Sequence, residues 1–340
     1  MTQPSRYTQA GVNIDAGQQA VALMSAAIKA TYGPEVLSDT RAFGGLYDAS
    51  GLAQMSGPVL VASTDGVGTK TKVAARLDRW DTIGHDIVNH CVNDILVQGA
   101  RPLFFLDYVA SSHIDPVVIA TVVKGAAHAC QAVGCALLGG ETAEMPGVYE
   151  AGELDLAGTI VGVVERERLI NGNRIEAGDV ILGLPSVGLH TNGYSLARAA
   201  LADLDWSESL PELGGTVGDA LLVPHRAYLD PVQKLWTAGV DIRGLAHITG
   251  GGIVDNLPRI FAPGVGALIR RGTWPELPIF GLIQRTGQVA TDEMFRVFNM
   301  GLGMLLVIPP AQVNLVRQTL ADEIFTVGEI VQGESMVTVI

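Results

Sequence analysis

One run of the sequence combines a carboxylate, two glycines, a hydroxyl and an ammonium. It reads Ser63-Thr64-Asp65-Gly66-Val67-Gly68-Thr69-Lys70 and follows the apolar stretch 58–62, which predicts a buried strand. Asp65 offers an oxygen ligand for Mg²⁺, the glycines expose backbone N–H groups, and Lys70 adds positive charge, which together suit a polyphosphate. The spacing is not that of a P-loop, which requires Gly-x-x-x-x-Gly-Lys-Ser/Thr. A plain glycine turn with a solvated Asp and Lys is the alternative.

A polar helix face is the second feature with chemical potential. Residues 82–98 predict a helix, and short polar side chains share one side of it: Asp86, Asn89, His90, Asn93 and Asp94. A solvated face normally carries Lys, Glu and Arg, and this face carries none of them. The pattern therefore indicates the wall of a binding site, with an ordinary amphipathic helix as the alternative.

A second strand end presents another carboxylate. The stretch 135–138 predicts a short buried strand that ends at Gly139 and Gly140, and Glu141 follows directly. A Mg²⁺ ion that bridges a polyphosphate needs several oxygen ligands, which two strand ends and an acidic helix face could supply. Carboxylates brought so close without a cation would raise one another's pKa values. If these acids converge, a bound metal is the expected reason.

The second half of the chain contains two further candidate segments. The segment 188–195 enters a predicted helix with His190, Asn192 and Ser195 available, although a lone histidine is more often structural than catalytic. The segment 249–253 also enters a helix, so its glycines could form an anion site at a helix N-terminus. A plain glycine loop explains the second segment equally well.

Composition limits the classes of function. The chain has 340 residues, 48% of them apolar and 17% charged, against about 25% charged in typical proteins. So little charge predicts that surface is hidden in a homo-oligomer. The net charge of −13 disfavours nucleic acid as a partner. We expect no membrane span and no signal peptide, and the three cysteines in apolar surroundings fit a reduced cytoplasm.

Strand and helix patterns alternate along the whole chain, which predicts an α/β or α+β architecture. The length exceeds the roughly 250–300 residues at which single hydrophobic cores stop growing, so two domains are expected. The composition becomes charged around residues 165–179, and we place the boundary near residue 170. The predicted domains are therefore 1–170 and 171–340.

Taken together, these segments resemble the phosphoribosylformylglycinamidine cyclo-ligase family, the aminoimidazole ribonucleotide synthetases of purine biosynthesis. The resemblance runs from Tyr7 to the C terminus. Its most specific stretches are 10–17, 65–70, 94–102, 104–108, 139–147, 190–195 and 249–252. So many ordered matches identify the chain as a member of the superfamily that also contains selenophosphate synthetase, thiamine-monophosphate kinase and a hydrogenase-maturation protein.

The sequence matches some of these relatives better than others. Selenophosphate synthetases resemble one another in an N-terminal loop with Cys or selenocysteine, whereas the first cysteine here is Cys91. The maturation protein carries a C-terminal cysteine, which residues 336–340 lack. Thiamine-monophosphate kinase is the main alternative, although the residues of segments 141–147 and 190–195 favour the cyclo-ligase. A scaffold that binds ATP without turnover is a third, less favoured reading.

The resemblance implies ATP-driven closure of formylglycinamidine ribonucleotide to aminoimidazole ribonucleotide, in a cytoplasmic homodimer whose first-domain strands form a barrel across the interface. It implies ATP and Mg²⁺ as cofactors and a phosphorylated ribonucleotide as substrate. The implied metal ligands are Asp65, Asp94, Glu141 and, as an outside candidate, Asp48. The implied ATP-binding residues are Asp65, Gly66, Val67, Gly68, Thr69, Lys70, Gly139 and Gly140. The implied substrate-binding residues are Asn192, Ser195, Thr249, Gly250, Gly251 and Gly252, with His190 as general acid or base and Lys70 also catalytic.

Overall fold

The chain divides into two compact units in the computed structural model, which describes residues 11–40, 42–321 and 323–340. The first unit comprises Met1–Ile95 and Arg101–Arg166, and the second comprises Leu96–Ala100 and Glu167–Ile340. Residues 1–10 lie outside the described residues. They include the first residue of the motif 10–17 and the N-terminal stretch for which no signal peptide is expected. Each unit has its own sheet and its own buried core.

A four-stranded sheet and four helices make up the described part of the first unit. The helices are α1 (Ile14–Lys29), α2 (Lys70–Leu77), α3 (Ile83–Leu96) and α4 (Pro116–Ala132). The strands are β1 (Pro58–Gly66), β2 (Arg101–Ser111), β3 (Ala136–Glu144) and β4 (Leu154–Glu165). Their order is β1-β4-β2-β3, with only the β2–β3 pair parallel. Parallel neighbours need a crossover, and α4 provides it, capped by the Asp115 carboxylate and begun by Pro116.

The first sheet leaves one face open in the single chain. β1 is an edge strand in which Val61 is buried but Leu60, on the other face, is 61% exposed. The register places Leu106 and Tyr108 of β2 on the same face, and both are also exposed. The prediction of a buried strand at 58–62 is therefore wrong for a single chain, in which Pro58, Leu60 and Ala62 are exposed.

A six-stranded sheet forms the centre of the second unit, with strand order β12-β9-β11-β5-β10-β8. Its strands are β5 (Val180–Pro185), β8 (Gly244–His247), β9 (Val265–Ile269), β10 (Leu302–Ile308), β11 (Phe325–Gln332) and β12 (Val337–Val339), and β6 (Ser209–Leu210) pairs separately with β7 (Gly215–Thr216). The helices are α5 (Tyr194–Ala200), α6 (Val217–Leu222), α7 (Leu229–Thr237), α8 (Gly252–Asn256), α9 (Pro278–Gly287), α10 (Thr291–Val297) and α11 (Val313–Leu320). Every residue of β10 is buried, so this strand is the centre of the core.

The predicted α/β (α+β) class with two domains is confirmed by this architecture. Among the described residues, no helix combines the length and the apolar character needed to cross a bilayer. Cys91, Cys130 and Cys135 are buried free thiols, as their apolar surroundings predict.

Candidate functional site

Two carboxylates and one imidazole meet at the end of β1. His90 on α3 lies with its Nε2 atom 2.8 Å from Asp65 Oδ2 and 3.5 Å from Asp94 Oδ2. The Ser63 hydroxyl donates a hydrogen bond of 3.0 Å to the same Asp94 oxygen. His90 is buried, whereas the side chains of Asp65 and Asp94 are 44% and 24% exposed. The structure thus brings together two of the predicted metal ligands, both still accessible.

The charges of this group stabilise one another. Burial opposes the ionised form of Asp65, but the hydrogen bond and charge of His90 and the Gly66 N–H outweigh it, so the Asp65 pKa is lowered. Burial likewise opposes the imidazolium of His90, yet the Asp65 hydrogen bond and the surrounding acids outweigh it, and the His90 pKa is raised. Asp65 is therefore an ionised oxygen ligand at neutral pH. Sequence reasoning placed His90 on the polar face but assigned it no role.

The loop after β1 exposes backbone as its composition predicts. Val67 is held to the sheet by a hydrogen bond from its N–H to the Leu156 carbonyl, 2.9 Å. Gly68 adopts φ +66°, where an L side chain is strained, and a Cβ there would meet open space. The glycine is therefore required by backbone conformation, and a ligand can approach it closely.

Lys70 departs from its predicted position. Its side chain is fully buried at the start of α2, with Nζ 2.8 Å from Oδ1 of the equally buried Asp86. Burial lowers the pKa of Lys70, and the charge and hydrogen bond of Asp86 oppose that shift. In this conformation the ammonium cannot contact phosphate in solvent. Lys70 anchors α2 and the loop before it to α3, and its binding of ATP phosphates stays a prediction.

A cleft next to the loop contains functional candidates that sequence reasoning missed. It has a volume of about 220 Å³ and is lined by Thr69, Lys72, Tyr149 and Asp155, among others. Lys72 is partly exposed and forms an ion pair with Glu153 at this cleft. Lys72 lies two residues beyond Lys70 on the same helix, so helical geometry could have suggested it as the accessible cation.

Glu141 lies on β3, which two strands separate from β1 and Asp65 in the sheet. A row of paired residues crosses the sheet from Asp65 through Gly158 and Asp107 to Gly140, which precedes Glu141. That row spans three strand spacings, or about 14 Å along the sheet. Asp65 and Glu141 therefore lie on strands that are not neighbours in the sheet, and an ion shared by Asp65, Asp94 and Glu141 stays a prediction.

Asp48 has a local role instead. Its carboxylate accepts a hydrogen bond of 2.8 Å from the backbone N–H of Ser50, and that bond lowers its pKa. This is the turn that a short acidic side chain commonly forms with its own backbone two residues on. The local turn accounts for Asp48, and its metal role stays a prediction.

Asp107 on β2 is a half-buried acid whose pKa is strongly shifted. A Cβ at Gly140 would overlap its carboxylate, so the glycine of β3 makes room for it. Burial raises the pKa of Asp107 to about 7, although a bond from its own backbone N–H opposes the shift. Between pH 4 and 7 the unfolded chain loses this proton before the folded one does, so stability falls as pH rises.

We therefore expect Asp107→Asn to gain stability relative to the parent protein as pH increases. The parent should lose on the order of 2 kcal/mol more than the variant between pH 5 and pH 8, since one pKa unit corresponds to about 1.4 kcal/mol. Urea unfolding of both proteins at the two pH values measures the difference. Parallel pH dependence would show that Asp107 titrates normally.

His190 is held in a strained and fully buried position in the second unit. Its φ is +63°, which is rare for a residue with a side chain and is tolerated only where surrounding packing imposes it. Its ring stacks on that of His225, with centroids 4.0 Å apart. A Cβ at Gly303 would clash with the His190 ring, so the glycine leaves room for the imidazole. Whether His190 acts on a substrate stays a prediction, since its imidazole is inside the fold.

The predicted substrate segments of the second unit come together. A Cβ at Gly250 would lie 3.3 Å from Asn192 Oδ1, so the loop 249–252 packs against Asn192. Ser195 is exposed in the first turn of α5. The buried Asn256, which sequence reasoning missed, donates hydrogen bonds to the carbonyls of Thr249, Gly250 and Gly252. Positive φ values at Gly251 and Gly252 explain their glycines. α8 has only five residues, so its dipole adds little to an anion site.

Solved structures with low sequence identity share this fold. A thiamine-monophosphate kinase from Stenotrophomonas maltophilia K279a superposes with a TM-score of 0.67 at 16% identity, covering 93% of this chain and 95% of its own. The hydrogenase maturation protein HypE of E. coli gives a TM-score of 0.69 at 17% identity over 95% and 93%. At such identities the likeness establishes the fold alone.

Sequence comparison is more specific. Residues 47–164 match the family model of the N-terminal domain of AIR synthase related protein. Residues 176–340 match the family model of its C-terminal domain. A phosphoribosylformylglycinamidine cyclo-ligase of Desulfitobacterium hafniense is 51% identical over 332 residues, 97% of each chain. One from Geobacillus kaustophilus is 51% identical over 336 residues, 96% of each chain. The chain therefore belongs to the phosphoribosylformylglycinamidine cyclo-ligase family of ATP-dependent ligases.

Proposed function

We propose that this chain closes the imidazole ring of aminoimidazole ribonucleotide from formylglycinamidine ribonucleotide, using ATP, in purine biosynthesis. Full-length relatives at 51% identity support the reaction. The structural observation that carries it is the group of Asp65, His90 and Asp94 beside the loop 66–69, in which Gly68 is exposed. Carboxylates for a metal and N–H groups for phosphates are thereby supplied at one place.

The chemistry requires an amide oxygen to become a leaving group. The γ-phosphoryl group of ATP passes to the formyl oxygen. The amidine nitrogen then attacks the formyl carbon and loses a proton, and the phosphorylated oxygen leaves that carbon as inorganic phosphate. Both reacting groups belong to one molecule, and well-oriented internal reactions reach effective molarities of roughly 10⁵–10⁸ M. The protein therefore mainly positions the ligands, stabilises charge and excludes water from the activated intermediate.

The acids of the first unit fit Mg²⁺. Asp65 and Asp94 are oxygen donors of the kind this ion prefers, and both remain partly exposed around a single imidazole nitrogen. When bound, Mg²⁺ would neutralise charge that develops on the transferred phosphoryl group. His90 orients the Asp65 carboxylate, and Gly68 and Thr69 line, with Lys72, the cleft that would receive the nucleotide.

The second unit supplies the proposed substrate contacts. Asn192, Ser195 and the loop 249–252 hold the ribose phosphate, and His190 is the proposed acid or base. The packing of Gly250 on Asn192 supports a joint role for these two segments. Asn256 fixes the carbonyls of the loop, so the loop's shape is set before a ligand arrives.

A substrate panel tests the reaction directly. ADP release from ATP and Mg²⁺ should require formylglycinamidine ribonucleotide and should not be stimulated by thiamine monophosphate. The same panel with Asp65→Asn controls for contaminating ATPases. Stimulation by thiamine monophosphate alone would make the chain a kinase of the same superfamily, and a response to neither compound would make it a scaffold.

We further propose a homodimer in which the open face of the first sheet is buried. Leu60, Leu106 and Tyr108 present exposed apolar surface there, on a chain with few charges. Light scattering should give twice the 35.7 kDa chain mass, and Leu60→Asp should give the monomer. Val117→Asp, which adds the same charge at an exposed apolar position in the first turn of α4, should remain dimeric. A monomeric parent protein at micromolar concentration would refute the proposal.

The cytoplasm is the proposed location, because the substrates of this reaction are intracellular nucleotides. The net charge of −13 and the small ligands of the reaction make neither nucleic acid nor a membrane an expected partner.

A further inference from the structure

Three histidines from separate segments meet inside the second unit. His190 precedes α5, His225 precedes α7 and His247 ends β8, and all three side chains are buried. One ring nitrogen from each lies within 4.8 Å of one from each of the others. Imidazole nitrogens are the commonest protein ligands for transition metals, so a buried group of three differs in kind from a lone structural histidine.

The distances within the group are close to those of a metal site. His225 Nε2 and His247 Nε2 are 3.1 Å apart. Two ligands that bind one tetrahedral Zn²⁺ at about 2.0–2.1 Å are separated by roughly 3.3 Å, so this pair already has the required spacing. The third nitrogen comes from His190, whose ring stacks on that of His225 with centroids 4.0 Å apart, so the His190 ring must rotate out of the stack for its lone pair to point at the same ion.

Thr191 provides the supporting contact that such sites use. Its Oγ1 atom lies 3.3 Å from His225 Nδ1. A histidine that binds a metal commonly donates its other ring N–H to an oxygen, which fixes the tautomer and leaves the ligating nitrogen unprotonated. With Nδ1–H donated to Thr191, the lone pair of His225 Nε2 points toward His247. The geometry thus allows Thr191 to accept from His225 Nδ1–H, which is the metal-binding tautomer.

We propose that His190, His225 and His247 form a binding site for a divalent transition metal of the Zn²⁺ class, in which His190 serves as a metal ligand and not as the acid or base considered above. Three neutral imidazoles suit Zn²⁺, and oxygen-preferring Mg²⁺ is a poor match for them. Bound metal links the segments before α5, before α7 and at the end of β8. It therefore stabilises the second unit by a free energy that rises with the logarithm of the free metal concentration above the dissociation constant.

Metal binding to tag-free protein tests the site. After treatment with EDTA and its removal, equilibrium dialysis with Zn²⁺ alone should give one ion per chain, and excess Mg²⁺ should not displace it. Co²⁺ should give the intense visible absorption of a tetrahedral complex with nitrogen ligands. The melting temperature should rise with Zn²⁺ concentration, which reports binding without reference to catalysis.

Substitutions locate the ion within the chain. His225→Gln should lose the bound Zn²⁺, and Thr191→Val, which keeps the shape but removes the hydroxyl, should weaken binding by about 10- to 100-fold. His128→Gln in the first unit is the control and should bind normally. If His225→Gln does not fold, His247→Gln replaces it, and the Co²⁺ spectrum of the parent protein is informative in either case. Absence of Zn²⁺ binding at micromolar concentrations, an octahedral Co²⁺ spectrum, or full binding by the folded variant would overturn the proposal.

Discussion

Asp65→Asn should lower kcat for ADP release by roughly 10²- to 10³-fold while the protein remains folded. The Asp65 carboxylate has a lowered pKa, is 44% exposed and lies 2.8 Å from His90, so it is ionised and accessible at neutral pH. Asparagine keeps the shape but removes the charge that would hold Mg²⁺. A metal contributes several kcal/mol of charge stabilisation to the transition state, and each 1.36 kcal/mol is a factor of ten in rate.

A matched Asp→Asn substitution away from the proposed metal site shows whether the loss of one negative charge by itself affects turnover. Asp78 is exposed and ends α2 with φ +49°, a conformation that asparagine accepts readily, so Asp78→Asn should keep full activity and stability. Asp94→Asn should resemble Asp65→Asn, and the double variant should lose little more than either single one, because both acids would serve one ion. Near-normal turnover by Asp65→Asn would refute the metal role.

Local sequence patterns predicted most elements of the first unit. The helix expected at 82–98 is α3 (Ile83–Leu96), and α4 (Pro116–Ala132) begins at an equally local signal, the Asp115 cap followed by Pro116. Their periodicity and caps are local, so one segment is enough to define them. The strand expected at 135–138 instead continues through the glycines to Glu144, because pairing with β2 supplies hydrogen bonds that glycine does not forbid.

The site required information that no local pattern contains. Convergence of Asp65 with Asp94 was predicted because a strand end and a polar helix face are both visible in the sequence. The separation of Glu141 from Asp65 was not predicted, because the strand order β1-β4-β2-β3, which places two strands between them, is not visible in the sequence. The polar face of α3 was interpreted as a site wall, whereas Asp86 is buried against Lys70. A buried partner cannot be distinguished from a ligand by residue type alone.

The second unit shows the same limit. Sequence reasoning proposed His190 alone, as a catalytic candidate, since 225 and 247 lie far from it along the chain. The fold brings His225 and His247 to it through the start of α7 and the end of β8. β11 and β12 were not predicted, although β11 lies between β9 and β5 in the sheet. Its position there depends on non-local pairing rather than on a distinctive sequence signal.

Breaking the Lys70–Asp86 pair should have the largest effect on stability. Both side chains are fully buried, with Nζ and Oδ1 2.8 Å apart. Removing one partner from a buried ion pair strands a charge in a low-dielectric interior, which costs about 3–5 kcal/mol. Lys70→Met and Asp86→Val should each lower the free energy of unfolding by that amount. The double variant should recover much of the loss, because neither charge is then buried alone.

Urea unfolding of the four proteins that make this cycle measures the coupling, and Lys72→Met supplies the control on the same helix. Lys72 is partly exposed and paired with Glu153, so its removal should cost less than about 1 kcal/mol. The cycle also decides between two roles for Lys70. If Lys70→Met kept its stability yet lost turnover, Lys70 would have to leave the interior and contact phosphate. A large stability loss that the second substitution relieves would instead establish Lys70 as the anchor of the loop 66–69.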